Sequence, residues 1–200
     1  MRFRNLAGLS LAVALAPAAA WAQTVQTFED VSPCNNTGGQ GDPVGIYGPV
    51  NYNTQFACYG WDQPPYAAHS LPNRVSAVFE GTNVNNSTGT FNFTGGPVTF
   101  DGAWFAGFET NAVSFALWLG GAPVWASGVL VTTDVSTFLS SGYSGLVDRV
   151  DVNGTSVQWV MDDVTFHTSA VPEPASIALL GTGLVGLYGV ARRRRGYKQV

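Results

Sequence analysis

From position 112 to 119 apolar residues alternate with small or polar ones. The run Ala112-Val113-Ser114-Phe115-Ala116-Leu117-Trp118-Leu119 puts Val113, Phe115, Leu117 and Leu119 on one face of a strand and Trp118 on the other. Gly120-Gly121-Ala122-Pro123 then turns the chain into a second apolar run over 124–131, which predicts a hairpin. Similar runs, bounded by Gly, Asn, Pro or Ser, lie at 25–30, 74–80, 89–93, 98–108, 145–152 and 157–167. Asn153-Gly154 between the last two predicts another hairpin turn. No long stretch of this region repeats at the 3.6-residue period of an amphipathic helix. Roughly nine or ten short strands at this spacing predict an all-β fold: a single β-sandwich of jelly-roll type over 23–170. Its 18 glycines exceed the usual share of about 7% and suit tight turns between short strands. No internal repeat points to a propeller or solenoid.

The two ends break this pattern. Arg2 and Arg4 precede an apolar run from Leu6 to Leu15, then Pro17 and small residues ending in Ala20-Trp21-Ala22. That order is the one found in a cleavable secretory signal peptide, here 1–22. At the other end an uncharged, glycine-rich run over 175–191 has 17 residues, the short end of what spans a bilayer as a helix. The arginines that follow would hold its C-terminal end in the cytoplasm. Gly181-Thr182-Gly183-Leu184-Val185-Gly186 matches G-x-G-x-x-G, but it sits inside that apolar run and no acid follows at the required distance, so no dinucleotide site is expected.

Pro172-Glu173-Pro174, the apolar helix and the cluster Arg192, Arg193, Arg194 and Arg195 resemble, in that order, the PEP-CTERM sorting signal of Gram-negative bacteria. The resemblance spans 171–200, with Gly196 to Val200 a slightly longer tail than the pattern has. It implies an exosortase-like enzyme that recognises the tripeptide, and a transient anchor in the inner membrane. The secretory translocon and signal peptidase would act on the N-terminus. The ectodomain would end at the cell surface, on the outer membrane or in the extracellular matrix.

Charge sharpens the contrast between ends and middle. Of the nine basic residues only Arg74 and Arg149 fall between 23 and 170, against twelve of the thirteen acids, a net charge of −10. Such a surface repels polyanions, which excludes a nucleic-acid-binding role. Cys34 and Cys58 are the two cysteines, and in an exported chain such a pair predicts a disulfide. A metal or catalytic thiol would need a histidine-cysteine cluster, and the chain has only His69 and His167.

Catalytic chemistry finds little support. There is no G-x-S-x-G elbow and no H-E-x-x-H helix, and spacing favours no Ser-His-Asp set around either histidine. Two carboxylates could serve a glycoside hydrolase at the right separation, which a sequence does not give. The chain therefore reads as non-enzymatic. Aromatic residues are the better clue: Trp118 off the core face, and Tyr59, Trp61 and Tyr66 in a Pro/Gln-rich loop, form candidate platforms for stacking on sugar rings. The alternative is that they only pack against the sandwich.

Within the ectodomain, Gly142-Tyr143-Ser144-Gly145-Leu146-Val147-Asp148 followed by Trp159-Val160-Met161-Asp162-Asp163-Val164-Thr165 resembles the closing strands of exported PEP-CTERM ectodomains of lectin-like or carbohydrate-binding jelly-roll type. By analogy with such modules, Glu29 and Asp30 near the first strand and Asp162 and Asp163 in the last could converge on a structural calcium ion. The alternative leaves all four as solvated strand and turn residues; no other cofactor is implied. The leading reading is an exported, exosortase-sorted surface or matrix protein associated with exopolysaccharide. A specific glycan-binding module comes second and a glycoside hydrolase third.

Overall fold

In a computed structural model, which describes residues 21–34, 40–61, 63–79, 82, 84–169, 181, 183 and 186, the period-two segments become strands of two antiparallel sheets. In chain order these are β1 (Trp21–Gln26), β2 (Asp42–Pro43), β3 (Ile46–Tyr47), β4 (Val50–Asn51), β5 (Phe56–Tyr59), β6 (Arg74–Ala77), β7 (Thr88–Phe93) and β8 (Val98–Gly107). They continue with β9 (Ala112–Leu119), β10 (Ala122–Ala126), β11 (Leu130–Val131), β12 (Thr137–Ser140), β13 (Leu146–Val147), β14 (Arg149–Gly154) and β15 (Trp159–Ser169). One sheet has the order β12-β8-β15-β6-β5-β2, with β1 also on β15 and β13 on β8. The second runs β10-β9-β14-β7-β4-β3, with β11 also on β9. From β7 onward the chain repeatedly changes sheets, as it must in the expected jelly-roll sandwich.

The folded unit spans Trp21–Ser169. Of residues 1–20 and 170–200, which form a separate unit, only Gly181, Gly183 and Gly186 are described, each helical. Most of the expected signal peptide, and Pro172, Glu173, Pro174 and Arg192 to Arg195, lie outside the described residues. Among the described residues no helix is long and apolar enough to cross a membrane. Trp21 and Ala22 pair with Ser169 and Thr168 in β1, so cleavage after Ala22 would trim that strand to its remaining four residues.

The core lies between the sheets. Val113, Phe115 and Leu117 of β9 point into it, as the alternation predicts, and Phe115 meets Phe100 and Phe105 of the first sheet. Edge-to-face ring pairs such as Phe100–Phe115 at 4.9 Å and Phe93–Phe166 at 5.0 Å carry much of the contact. Leu119, at the strand end, is only partly covered. The hairpin after β9 forms as expected: Gly120 and Gly121 have φ of 60° and 79°, the two left-handed positions that a two-residue turn of the primed type needs.

The other expected hairpin does not exist. Asn153 and Gly154 lie within β14, in the second sheet, whereas β15 belongs to the first, so 155–158 is a crossover. Gly154 is required for another reason: a Cβ there would sit 2.3 Å from Nε1 of buried Trp159. Strand limits also shift. The run 25–30 ends at Gln26 because Phe28, at φ 62° and fully buried, takes the chain out of the ladder. The run 124–131 splits into β10 and β11, which pair with different parts of β9. The disulfide Cys34–Cys58 is formed and anchors the segment before β2 to buried β5.

Candidate functional site

Both β5 and β6 are buried at every position, so over these two strands the outer face of the first sheet is covered as well as the inner one. The cover is the chain between β5 and β6, whose described residues, 60, 61 and 63–73, cross the sheet as a strap. Its far end is latched by two adjacent acids of β15. Asp162 Oδ2 accepts the backbone N–H groups of His69 and Ser70, both at 2.8 Å. Asp163 accepts the Ser70 hydroxyl at 2.7 Å and lies 2.6 Å from Nδ1 of His69. The His69 ring stacks on Trp104 of β8 at 3.5 Å. Burial and the neighbouring Asp163 carboxylate push the Asp162 carboxyl up to about 7, outweighing the backbone N–H groups of Ser70, Asp163 and His69, which lower it.

The near end of the strap walls a cleft of about 420 Å³. Tyr59, Trp61 and Tyr66 supply its aromatic lining, and Trp159 contributes its backbone carbonyl beside Ser76. The β6 residues Arg74 and Ser76 project from the sheet's outer face into its floor. Gln40, Gln63 and Asn85 add amides, and Val84, Val157 and Val160 add hydrocarbon. The Arg74 guanidinium lies 5.6 Å from the Trp61 ring centre and donates to the Trp61 carbonyl, so the tryptophan is held from its own backbone. Trp61 and Tyr59 meet edge to face at 5.2 Å, and Trp61 Nε1 donates to Gln63 Oε1 at 2.8 Å. The Tyr59 hydroxyl donates to Asn85 Oδ1 at 3.0 Å. Desolvation raises the Tyr59 phenol, with a Gly41 backbone N–H and Arg74 pulling against it; desolvation also raises Tyr66.

Three of the four aromatic residues singled out in the sequence therefore meet at one cleft, and the fourth does not. Trp118 lies on β9 in the second sheet, away from the cleft, with the Arg149 guanidinium 4.6 Å from its ring centre. Its Nε1 is buried without a hydrogen-bond partner. Arg74, Gln63 and Asn85 were missed. One signal could have found Arg74: it is one of only two bases in 148 residues, and it opens a strand.

The expected calcium cluster is not assembled. Glu29 accepts the Asn73 backbone N–H at 2.9 Å and Asp30 accepts the Tyr47 hydroxyl, while Asp162 and Asp163 face the strap. Among the described residues no group of three or more His, Cys, Asp or Glu is placed to hold a metal ion. The turn at Phe28 is the cause, because it sends Glu29 and Asp30 toward Asn73 and Tyr47. Among the described residues neither histidine forms a triad. Ser70 donates to Asp163 directly rather than to His69, and Nε2 of His167 is paired with Asp101 at 2.9 Å.

Over residues 170–195 the chain matches the PEP-CTERM protein-sorting motif. The motif indicates an exported protein sorted at the cell envelope, and it implies processing by an exosortase. No curated protein matches the chain. Among solved structures it is similar to two variants of CBM29-2, a family 29 carbohydrate-binding module studied for ligand recognition. For one the identity is 11% and the TM-score 0.40, over 75% of this chain and 94% of that one. For the other the identity is 9% and the TM-score 0.40, over 78% and 99%.

Proposed function

We propose that the sandwich is a non-enzymatic carbohydrate-binding ectodomain. Its cleft between strap and sheet holds the protein to exopolysaccharide at the surface or in the matrix. The observation that carries this reading is the convergence of Tyr59, Trp61 and Tyr66 on one cleft with amide and guanidinium groups around them. Aromatic faces cover the apolar face of a pyranose, and fixed polar groups bind its hydroxyls. The described acids nearest the strap, Asp162 and Asp163, are committed to holding it, which supports binding rather than hydrolysis. In this reading a signal peptide over 1–22 is removed on export. The helix over 175–191 holds the chain in the inner membrane until an exosortase acts at Pro172-Glu173-Pro174.

The test is a glycan array probed with the full chain in mild detergent. Binding to at least one neutral polysaccharide is expected, weakened about tenfold or more by Trp61→Ala, since a stacked aromatic contributes on the order of 1–2 kcal/mol. Trp118→Ala should leave it within twofold. Failure of the folded chain to bind any glycan would sink the proposal.

A further inference from the structure

The hydrogen bonds inside the cleft decide which atoms face a ligand. An indole N–H can only donate, so the Gln63 atom 2.8 Å from Trp61 Nε1 is the carbonyl oxygen, and the NH2 group of Gln63 is turned away from that contact. The same holds for Asn85, whose Oδ1 takes the Tyr59 hydroxyl proton while that hydroxyl is itself approached by the Gly41 N–H. Ser76, deep in the floor, donates its proton back to the Trp159 carbonyl at 2.9 Å. Each amide oxygen therefore already accepts one protein donor, and the N–H groups of both side chains remain for a ligand.

Sugar hydroxyls both donate and accept; the groups on glycans that accept without donating are anions (carboxylate, sulfate, phosphate) and neutral acyl carbonyls. The net charge of −10 between 23 and 170 opposes a polyuronate, whereas an acyl carbonyl is neutral. An acyl group also carries a methyl, and Val84, Val157 and Val160 in the same cleft offer it a hydrocarbon wall. Building on the carbohydrate-binding reading above, we infer that the cleft selects a neutral glycan bearing acetamido groups. The amide N–H donors of Gln63 and Asn85 take the acyl oxygen, the valines its methyl, and Trp61 with Tyr59 the sugar ring.

The test is calorimetric titration of the full chain in mild detergent with three β-1,4-linked hexasaccharides: of N-acetylglucosamine, of glucose and of glucuronate. The N-acetylglucosamine hexasaccharide should bind at least about tenfold more tightly than the glucose one, the worth of one to two hydrogen bonds and a buried methyl. Gln63→Glu keeps the acceptor for Trp61 Nε1 but replaces the ligand-facing donor with an oxygen; it and Asn85→Asp should each weaken that binding about tenfold. Both positions are exposed, so the variants fold. Equal or tighter binding of the glucose or glucuronate hexasaccharide would overturn the acyl assignment and leave the carbohydrate-binding reading standing. So would unchanged binding in both variants. Binding of none of the three would overturn the assignment, and the array above then decides whether the broader reading falls with it.

Discussion

The two outer faces of the sandwich begin from the same strand chemistry and end as different surfaces. Each presents one large tryptophan with a flat group laid against it: Trp104 under His69 on the first sheet, Trp118 under Arg149 on the second. On the second sheet the cover comes from the adjacent strand, since Arg149 and Trp118 are cross-strand partners. It leaves an open face with a bidentate Arg149–Asp151 pair. On the first sheet the cover comes from a strap far away in sequence, which buries acids and leaves a cleft at its edge. Alternation alone yields a wall; a loop returning over the wall makes a site.

The largest expected difference between the faces is in pH dependence. Asp162 titrates near 7 when folded against 3.8 unfolded, so between those values the native state keeps a proton that the unfolded chain has released. Unfolding free energy should therefore fall as pH rises from about 4 to about 7. At about 1.4 kcal/mol per unit, the full effect is on the order of 4 kcal/mol. Chemical denaturation across this range should show that slope in the wild type, and Asp162→Asn should flatten it. Asp151→Asn, on the open face, should leave the slope in place. A flat wild-type profile would mean that the strap does not desolvate its latch.

Next in size is the disulfide. It secures the segment before β2 to β5 of the covered sheet and closes a loop of sequence separation 24, so Cys34→Ser should cost about 3 kcal/mol. Replacing Val131, which is exposed near the edge of the second sheet, with Ser should cost under about 0.5 kcal/mol in the same assay. His69→Ala comes third. It removes the stack on Trp104 and the contact to Asp163, and should cost about 1–2 kcal/mol. Because the strap also carries Trp61 and Tyr66, glycan affinity should drop with it. Lost stability with unchanged affinity would show that the two ends of the strap are independent.

How much of each sheet was legible in the sequence followed strand length rather than which face is covered, for physical reasons. Strands such as β8 and β9 carry enough alternating residues for a period of two to emerge, and Gly120-Gly121 announces its turn. The two-residue strands β2, β3 and β4 are too short to have a period at all. Asn153-Gly154 misled because its glycine serves contact with Trp159 rather than a turn, and local sequence does not distinguish those uses. At the cleft, Tyr59, Trp61 and Tyr66 stood out as aromatic residues in a loop. Gln63 and Asn85 had no signal, because an amide matters only once its partner has fixed which of its ends faces outward. Glu29 and Asp30 were placed wrongly because the turn at Phe28 is set by tertiary burial of its side chain.

The smallest expected effect is the sharpest test of the comparison. Arg149 packs on Trp118 and pairs with Asp151, and its own side chain is 39% exposed. Desolvation and solvent screening limit what either contact contributes, so Arg149→Ala should lower stability by less than about 1 kcal/mol. It should uncover the Trp118 ring, which iodide quenching of tryptophan fluorescence would register as a more accessible fluorophore. Glycan affinity should stay within twofold, because the uncovered ring lies outside the cleft that holds Trp61. If affinity instead rises in Arg149→Ala, the open face is itself a latent binding surface, and an exposed tryptophan suffices without a strap. If it does not, the roof over the first sheet is what converts an aromatic residue into a site.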